Sequence, residues 1–216
     1  MSTKIDLQNL PVTEEFAPLA EGVCPVEWAL ERVAEARLIS CGRSVTCRDG
    51  LTQVQAIITD ITTGAGQPGD LAMLRDVVGY IAAMGDCQAS LTAARGVLFS
   101  LDRYAAEWDA HCNRKRCAAL VCKAYISVIC LPERCQGDTA CLKACPAGAI
   151  SGGPGLIAVV DEARCTRCGD CLTVCPHGAI ARSGPMKPKL PDAPIPVGSF
   201  ATAAAAGVVR RRRRAE

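Results

Sequence analysis

The stretch CQGDTACLKACPAGAI, residues 135–150, returns thirty residues later as CTRCGDCLTVCPHGAI, residues 165–180. Aligned without a gap, the two copies are identical at eight of sixteen positions, which include three cysteines and the proline after the last cysteine. The copies differ at one cysteine, because Asp138 stands where the second copy has Cys168. The repeat predicts two equivalent structural halves that differ at this one chemically important position.

The spacing of these cysteines indicates what the repeat binds. The second copy reads Cys-x2-Cys-x2-Cys-x3-Cys-Pro, the run that holds cubane iron–sulfur clusters, and the fourth cysteine of such a run binds the cluster of the other run. This rule assigns four residues to each cluster: cluster I takes Cys135, Asp138, Cys141 and Cys175, and cluster II takes Cys145, Cys165, Cys168 and Cys171. The region resembles a bacterial-type two-cluster ferredoxin domain, which implies two [4Fe–4S] clusters.

Asp138 makes cluster I unusual, because a carboxylate is a harder iron ligand than a thiolate. Asp138 binds the fourth iron, or a water binds it, or that corner is absent and a [3Fe–4S] cluster remains. Ferredoxins of this family with Asp at the same position show the first and last outcomes. An Asp138 that only caps a turn is the remaining alternative. We expect a [4Fe–4S] cluster with a labile corner.

The composition of the chain favours metal binding over disulfides. Of its 216 residues, fifteen are cysteines and only eight are aromatic, so bound metal is expected to supply part of the stability. The first residues lack the apolar segment of a signal peptide, and no apolar stretch reaches the roughly 18–20 residues that span a bilayer. Thiols in an unexported chain are typically metal ligands. We therefore expect a cytoplasmic protein.

Hydrophobic periodicity predicts four helices before residue 110, the last of them from about Gln88 to Trp108. Short turns between them favour a small antiparallel bundle. The predicted fold class is α+β, with an N-terminal four-helix bundle followed by a two-cluster ferredoxin-like domain of βαβ repeats. The expected divisions are an extension, the helical domain, a Cys/His linker, the ferredoxin domain and a flexible basic tail, at residues 1–24, 25–110, 111–130, 131–182 and 183–216.

The loop SCGRSVTCRDG, residues 40–50, resembles the SCGxCxPCRxG motif of a larger family. That family comprises the NADH-oxidising flavin subunit of complex I and its relatives in NAD-linked hydrogenases and formate dehydrogenases. There the loop and a later cysteine bind one [4Fe–4S] cluster. Here Ser44 replaces the middle cysteine, and Ala82 falls near the later position. A third cluster would therefore use Cys24, Cys41, Cys47 and Cys87; the alternative is a fold that has lost this cluster.

A second resemblance to these hydrogenase subunits is the segment HCNRKRCAALVCK, residues 111–123, which in them joins the helical and ferredoxin domains. The imidazole of His111 and the thiolates of Cys117 and Cys122 suit tetrahedral zinc. The fourth zinc ligand would be Cys112 or Cys130. Another cluster, bound by Cys112, Cys117, Cys122 and Cys130, is the alternative.

The resemblance covers residues 25–182 and implies an electron-transfer subunit rather than a catalytic one. No GxGxxG or P-loop for a nucleotide is present, and no nucleophile–base arrangement is evident. The expected role is to relay single electrons between a catalytic partner and a flavin/NAD(P), ferredoxin or other acceptor. The implied partners are a molybdenum or tungsten enzyme, a hydrogenase or a flavin subunit.

Two other functions remain open from the sequence: a redox- or iron-responsive sensor or scaffold, and a standalone ferredoxin. The sensor reading depends on the basic tail, because residues 182–216 carry eight basic and two acidic side chains. The arginines at 210–214 have no aromatic residues between them, a pattern more typical of a solvated tail or a docking arm than of a nucleic-acid site.

Overall fold

The chain divides into two units, Met1–Tyr125 and Ile126–Glu216. In the described part of the chain, the first unit is helical and the second contains short strands and two short helices. The computed structural model describes residues 16–200. This mixture of helices with a few small strands agrees with the α+β class expected from the sequence. Among the described residues, no helix has the length and apolar character that crossing a bilayer requires.

Between residues 16 and 125, the first unit contains five α-helices that are joined by short connections. They are α1 Pro25–Ile39, α2 Leu51–Thr63, α3 Asp70–Met84, α4 Gln88–Arg103 and α5 Ala105–Cys112. A π-helical turn, Thr46–Gly50, leads into α2, and a 3-10 turn, Lys123–Tyr125, closes the unit. Helix α1 packs on α2 and α4, and α3 packs on the same two helices, so that their apolar faces share one core.

The helix that the sequence predicts from Gln88 to Trp108 is two helices in the structure. Tyr104 leaves the helical conformation, with φ −119° and ψ 34°, and separates α4 from α5. The break lets Trp108 turn into the core, where its Nε1 donates to Ser100 Oγ at 3.1 Å. Ser100 Oγ in turn donates to the Pro25 carbonyl oxygen at 3.0 Å, which ties α4 to the start of α1.

The second unit consists of two small antiparallel sheets and two helices of five residues. Strand β1 (Ser127–Cys130) pairs with β4 (Ile180–Ser183), and β2 (Ile150–Ser151) pairs with β3 (Val159–Val160). The helices α6 (Ala140–Ala144) and α7 (Asp170–Val174) pack on each other. Each repeat copy therefore contributes one helix followed by one strand, with its cysteines at corresponding places.

The segment after β4 differs in part from the flexible tail predicted from residue 183. Ile157 N donates to the Ile195 carbonyl oxygen at 2.8 Å, and Val197 N donates to the Gly155 carbonyl oxygen at 2.9 Å. The side chains of Ile195, Val197 and Phe200 pack against the core of the second unit. The segment is fixed by backbone pairing, which an irregular proline-rich sequence does not reveal. The predicted arginine tail lies outside the described residues.

Candidate iron–sulfur and metal sites

A first cavity in the second unit brings together the four residues that the crossing rule assigns to cluster I. Its lining includes Cys135, Asp138, Cys141 and Cys175. The first three come from the first repeat copy, and Cys175 comes from the end of α7 in the second copy. The last cysteine of one copy thus reaches the cavity of the other.

A second cavity brings together the residues assigned to cluster II, in the reciprocal arrangement. Its lining includes Cys145, which follows α6, together with the three leading cysteines of the second copy, Cys165, Cys168 and Cys171. Val128, Ile150 and Val160 of the strands line it as well, together with the loop residues 166, 167 and 169. The two cavities therefore share this crossed construction; they differ at the position of Asp138 and Cys168, and Cys130 lines the first cavity alone.

Backbone amides in both copies point at the crossing cysteines. Ala149 N donates to Cys145 Sγ at 3.3 Å, and Ala179 N donates to Cys175 Sγ at 3.4 Å. The turns that aim these amides contain Gly148 and Gly178, whose φ angles are 55° and 56°. Hydrogen bonds to ligand sulfur are one of the ways in which a protein sets the reduction potential of a cluster. The two copies provide this interaction at the same position.

The chemistry of these side chains fits a cationic iron group. Burial, and after it the charges of the neighbouring thiols Cys165 and Cys168, raise the pKa of Cys171 to about 11. Burial likewise raises the pKa of Cys141, with Asp138 and Cys175 as the next causes. Negative charges that converge on a buried cavity repel one another unless a cation lies between them. Iron in the cavities would provide that charge and bind the thiolates.

Asp138 borders the first cavity and also caps α6. Its Oδ1 accepts a hydrogen bond from Ala140 N at 2.8 Å, and its Oδ2 lies 3.6 Å from His177 Nε2. The side chain is 29% exposed, so that one side of the carboxylate is accessible to solvent. The carboxylate that forms the turn-capping hydrogen bond is thus the same one that the sequence predicts as a ligand of cluster I. His177 belongs to the Cys-Pro-His-Gly turn of the second copy, beside this corner of the cavity.

A separate site in the first unit contains four buried side chains: Cys24, His111, Cys117 and Cys122. Cys24 Sγ lies 3.3 Å from His111 Nε2 and 3.7 Å from Cys122 Sγ, and Cys122 Sγ lies 3.5 Å from His111 Nε2. Ligands arranged tetrahedrally at the usual zinc distances have to lie about 3.8 Å apart between sulfurs and about 3.5 Å apart between sulfur and nitrogen. Cys24, His111 and Cys122 thus stand at the spacing of one tetrahedral zinc ion, and Cys117 Sγ lies within 4.8 Å of all three.

Helix ends and a loop hold this site in place. Cys24 directly precedes the first residue of α1, His111 lies in the last turn of α5, and the two other cysteines follow in the loop after α5. His111 Nδ1 donates to the Glu107 carbonyl oxygen at 2.7 Å, which leaves Nε2 facing the cysteines. Metal-bound histidines commonly donate their other ring N–H to such an oxygen. The imidazole is therefore oriented as a metal ligand would be.

The pKa shifts of the same side chains also indicate that a cation would be stabilised among them. Burial alone would lower the pKa of His111, but Cys117 and Cys24 raise it to about 10. The pKa of Cys117 is lowered, first by its contact with Cys122 and then by Cys24, whereas Cys117 and Cys24 raise the pKa of Cys122. Three thiols in one buried space cannot all ionise without a positive partner. A divalent ion would allow all three to be thiolates.

The fourth residue of this site differs from both candidates that the sequence offered. Cys112 is buried elsewhere, and its Sγ donates to the Gln67 carbonyl oxygen at 2.9 Å. Cys130 belongs to the second unit, where it is buried in β1 and lines the first cavity beside Cys135. Cys24 is the fourth residue of this site because the start of α1 packs near the end of α5. The position of Cys24 directly before Pro25, where the sequence predicts a helix to begin, is the feature that could have suggested Cys24 as the fourth residue.

A third group of cysteines contains Cys41, Cys47 and Cys87, whose sulfur atoms all lie within 4.8 Å of one another. Cys41 Sγ lies 3.7 Å from Cys47 Sγ, and Gly42 N donates to Cys47 Sγ at 3.3 Å. Cys87 is the N-cap residue of α4, and its sulfur lies 3.5 Å from Cys41 N. Burial opposes ionisation of Cys87, but the backbone N–H groups of Cys41, Ser90 and Ala89 and the thiol of Cys47 lower its pKa to about 7.

The structure thus brings together three of the four residues expected at this third site and places Cys24 at the histidine site instead. Ser44, in the position of the missing cysteine, forms a hydrogen bond with its Oγ to Thr46 Oγ1 at 3.0 Å. Ala82 is part of α3 and offers no ligand atom. Among residues 16–200, this group therefore contains three cysteine thiols and no histidine.

Comparison with known proteins gives these sites a family context. Residues 29–111 match the model of the NADH-ubiquinone oxidoreductase-F iron-sulfur binding region, and residues 157–180 match a model of a 4Fe-4S binding domain. The first match contains the three-cysteine group and His111, and the second contains the four cysteines of the second repeat copy. Both matched models describe regions that bind iron–sulfur clusters.

Similar proteins come from several oxidoreductase complexes. NADP-reducing hydrogenase subunit HndC of Solidesulfovibrio fructosivorans is 33% identical over 52% of this chain and 23% of its own length. A subunit of NADH-quinone oxidoreductase from Rhizobium meliloti is 30% identical over 45% of this chain and 23% of its own length. The beta subunit of NADP(+)-dependent formate dehydrogenase from Moorella thermoacetica is 37% identical over 30% of this chain and 9% of its own length. The chain spans less than a quarter of these relatives.

Proposed function

We propose that this protein is a non-catalytic electron-transfer subunit of a multi-subunit oxidoreductase. The observation that carries the proposal is the pair of reciprocal cavities, in which each repeat copy supplies three residues to one cavity and one cysteine to the other. This crossed arrangement suits two clusters held in one small unit. The clusters would accept and release single electrons, while the chain binds them, shields them and donates hydrogen bonds to their ligands.

In this proposal, the second unit is a two-cluster ferredoxin domain, and α1–α4 of the first unit are the four-helix bundle that accompanies it. Both clusters would be [4Fe–4S], with cluster I bound by Cys135, Asp138, Cys141 and Cys175 and cluster II bound by Cys145, Cys165, Cys168 and Cys171. The exposed side of Asp138 supports a labile corner on cluster I, because a carboxylate holds iron less firmly than a thiolate.

The site of Cys24, His111, Cys117 and Cys122 would hold structural zinc. A site with four protein ligands leaves no open coordination position, which is typical of structural rather than catalytic zinc. Its ligands join the start of α1 to the end of α5 and to the following loop. The zinc would therefore stabilise the helical unit, and it would not take part in electron transfer because Zn2+ has no redox chemistry.

The proposed partners follow from the relatives, which are subunits of a hydrogenase, a quinone oxidoreductase and a formate dehydrogenase by name. A catalytic subunit of such a complex, including a molybdenum or tungsten enzyme, would deliver electrons to this chain or take them from it. The opposite partner would be a flavin/NAD(P) subunit, a ferredoxin or another acceptor.

Iron and sulfide analysis of anaerobically purified protein tests this function. We expect about seven to eight iron atoms per chain in the intact protein, since the two clusters hold about eight irons when complete. Cys141→Ser and Cys171→Ser should each remove one cluster and the corresponding EPR signal of the reduced protein. Cys112→Ser is the matched control, because Cys112 is also buried but lines neither cavity. Unchanged iron in both cluster variants would contradict the proposal.

The partner half of the proposal has its own test. Anaerobic affinity purification of the tagged chain, followed by mass spectrometry, should recover an oxidoreductase subunit with a flavin, molybdenum, tungsten or hydrogenase centre. Recovered complex should reduce the clusters when its substrate is added, as measured by bleaching of their visible absorption. Purification of the chain as a monomer with full clusters and no partner would instead favour a standalone ferredoxin.

A further inference from the structure

We infer that Cys41, Cys47 and Cys87 bind a single tetrahedral zinc ion rather than a cubane cluster. The family model that covers residues 29–111 describes an iron–sulfur binding region, so a [4Fe–4S] cluster is the group that the family implies at this place. The residues present here do not fit that group. The inference concerns this third site alone and stands apart from the proposed roles of the two cavities in the second unit.

The number of thiols is the first mismatch. A cubane of the usual kind is held by four cysteine thiolates. Here one of the four has become Ser44, and Cys24, which could have restored the count, faces His111 instead. Three thiolates, with a fourth position for water, make a complete tetrahedral set for one zinc ion. Thiolates suit both zinc and iron–sulfur clusters, so the number of thiols, rather than their softness, distinguishes the two here.

The spacing of the thiols is the second mismatch. In a cubane each cysteine binds a different iron, so the ligand sulfurs are held apart by the body of the cluster. The repeat cysteines follow this pattern, because they surround cavities and no three of them converge within 4.8 Å among the described residues. The thiols of Cys41, Cys47 and Cys87 do converge within that distance, as do the ligand atoms of the histidine site.

The distance between the sulfur atoms of Cys41 and Cys47 agrees with two thiolates bound to one ion. Cys41 Sγ and Cys47 Sγ are 3.7 Å apart, against about 3.8 Å between two thiolates on a tetrahedral zinc. The same separation of 3.7 Å joins Cys24 and Cys122 in the histidine site. Both groups of the first unit thus have the dimensions of a single-ion site, whereas among the described residues no three cysteines around the cavities of the second unit lie within 4.8 Å of one another.

The local backbone supports thiolates at this place. Gly42 N and Cys41 N point at Cys47 Sγ and Cys87 Sγ, so each of these two sulfurs receives an N–H group. Cys41, Gly42 and Arg43 are exposed, and the fourth coordination position therefore opens toward solvent. The ion would fasten the loop after α1 to the start of α4. Because zinc does not change its oxidation state, the site would lie outside the electron path.

Elemental analysis of the intact chain tests the inference without any variant. After anaerobic reconstitution with iron and sulfide, we expect two zinc ions per chain and no more than about eight irons, the number that two complete clusters hold. About twelve irons with one zinc would show a third cubane and overturn the inference. Loss of the iron of cavities I and II, with two zinc ions retained, would contradict the proposed function but not this site.

Variants then assign the second zinc ion. Cys41→Ser and Cys87→Ser should each lower zinc by one ion per chain and leave iron unchanged, and Cys112→Ser should change neither metal. A fall of about four irons in the first two variants would instead identify a cluster. If either variant does not fold, thiol counting on the unfolded wild-type chain provides the second measurement. A Cys41–Cys47 disulfide in freshly prepared anaerobic protein would overturn the inference.

Discussion

At the scale of single residues, the two repeat copies form a natural comparison in which one ligand differs. Asp138 and Cys168 occupy the same position after the first cysteine of each copy, and each lines a cavity with the three other residues assigned to the same cluster. Thr139 and Gly169, which follow them, share a left-handed conformation with φ angles of 63° and 96°. Any difference in stability between the two proposed clusters is therefore expected to depend mainly on the carboxylate.

Asp138→Cys should convert the labile cluster into an ordinary one. A thiolate holds the fourth iron more firmly than a carboxylate, so mild ferricyanide oxidation should no longer release iron from cluster I. EPR measures this directly, because loss of one iron from a cubane produces the signal of a [3Fe–4S] cluster. The reciprocal variant Cys168→Asp is the control and should transfer the lability to cluster II. A [3Fe–4S] signal of equal size in the wild type and in Asp138→Cys would contradict the role of Asp138.

Ser44→Cys should change the metal that the third cysteine group selects. The substitution recreates a Cys-x2-Cys-x2-Cys run over residues 41–47, with Cys87 as the fourth thiolate, which is the donor set that a cubane requires. Reconstituted protein should then gain about four irons and lose one zinc ion per chain. Ser44→Ala removes the same hydroxyl without adding a thiol and should keep the wild-type metal content. An unchanged metal content in Ser44→Cys would mean that the loop conformation, rather than the missing thiol, determines the metal.

At the scale of elements, the sequence predicts which segments are helical better than it predicts which helix ends meet. Apolar spacing locates the helices of the first unit because it is a local property of each segment. The pairing of Cys24 with His111 joins residues 87 positions apart, and it depends on how α1 and α5 pack. This difficulty does not arise for the repeat motif, because the crossing rule already states that the last cysteine of each copy belongs to the site of the other copy. The residues of the cavities could therefore be listed from the sequence, whereas the place of Cys24 beside His111 could not.

Cys24→Ser should weaken the first unit by removing one ligand of the proposed zinc site. Structural zinc contributes directly to folding free energy, and a loss of about 2 kcal/mol would lower the melting temperature of a unit of this size by about 10 °C. Zinc content should fall by one ion per chain, with iron unchanged. Cys112→Ser is again the control, because Cys112 is buried in the same unit without facing the site. A full zinc content with unchanged melting temperature in Cys24→Ser would exclude Cys24 as a ligand.

At the scale of the whole molecule, the two units have different sources of stability. The core of the first unit contains long aliphatic side chains and the buried Trp108, and Phe16, Trp28, Phe99 and Tyr104 make ring contacts beside it. The second unit has a single aromatic residue, Phe200, and cysteines make up much of its core. Small domains with so little apolar surface usually need a metal or a disulfide to fold.

This contrast predicts that removal of the clusters unfolds one unit and leaves the other intact. The double variant Cys141→Ser/Cys171→Ser should lose both clusters but keep the zinc ligands of the first unit. Hydrogen–deuterium exchange should then show loss of protection over residues 127–183, because the cysteine-rich core cannot compensate the conformational entropy of folding without its metal. Protection of α1–α5 should remain, since their core is apolar and their proposed zinc is untouched. Retained protection of β1 and β4 in this variant would show that the second unit folds on its own apolar contacts, and loss of protection in both units would show that the clusters stabilise the whole chain.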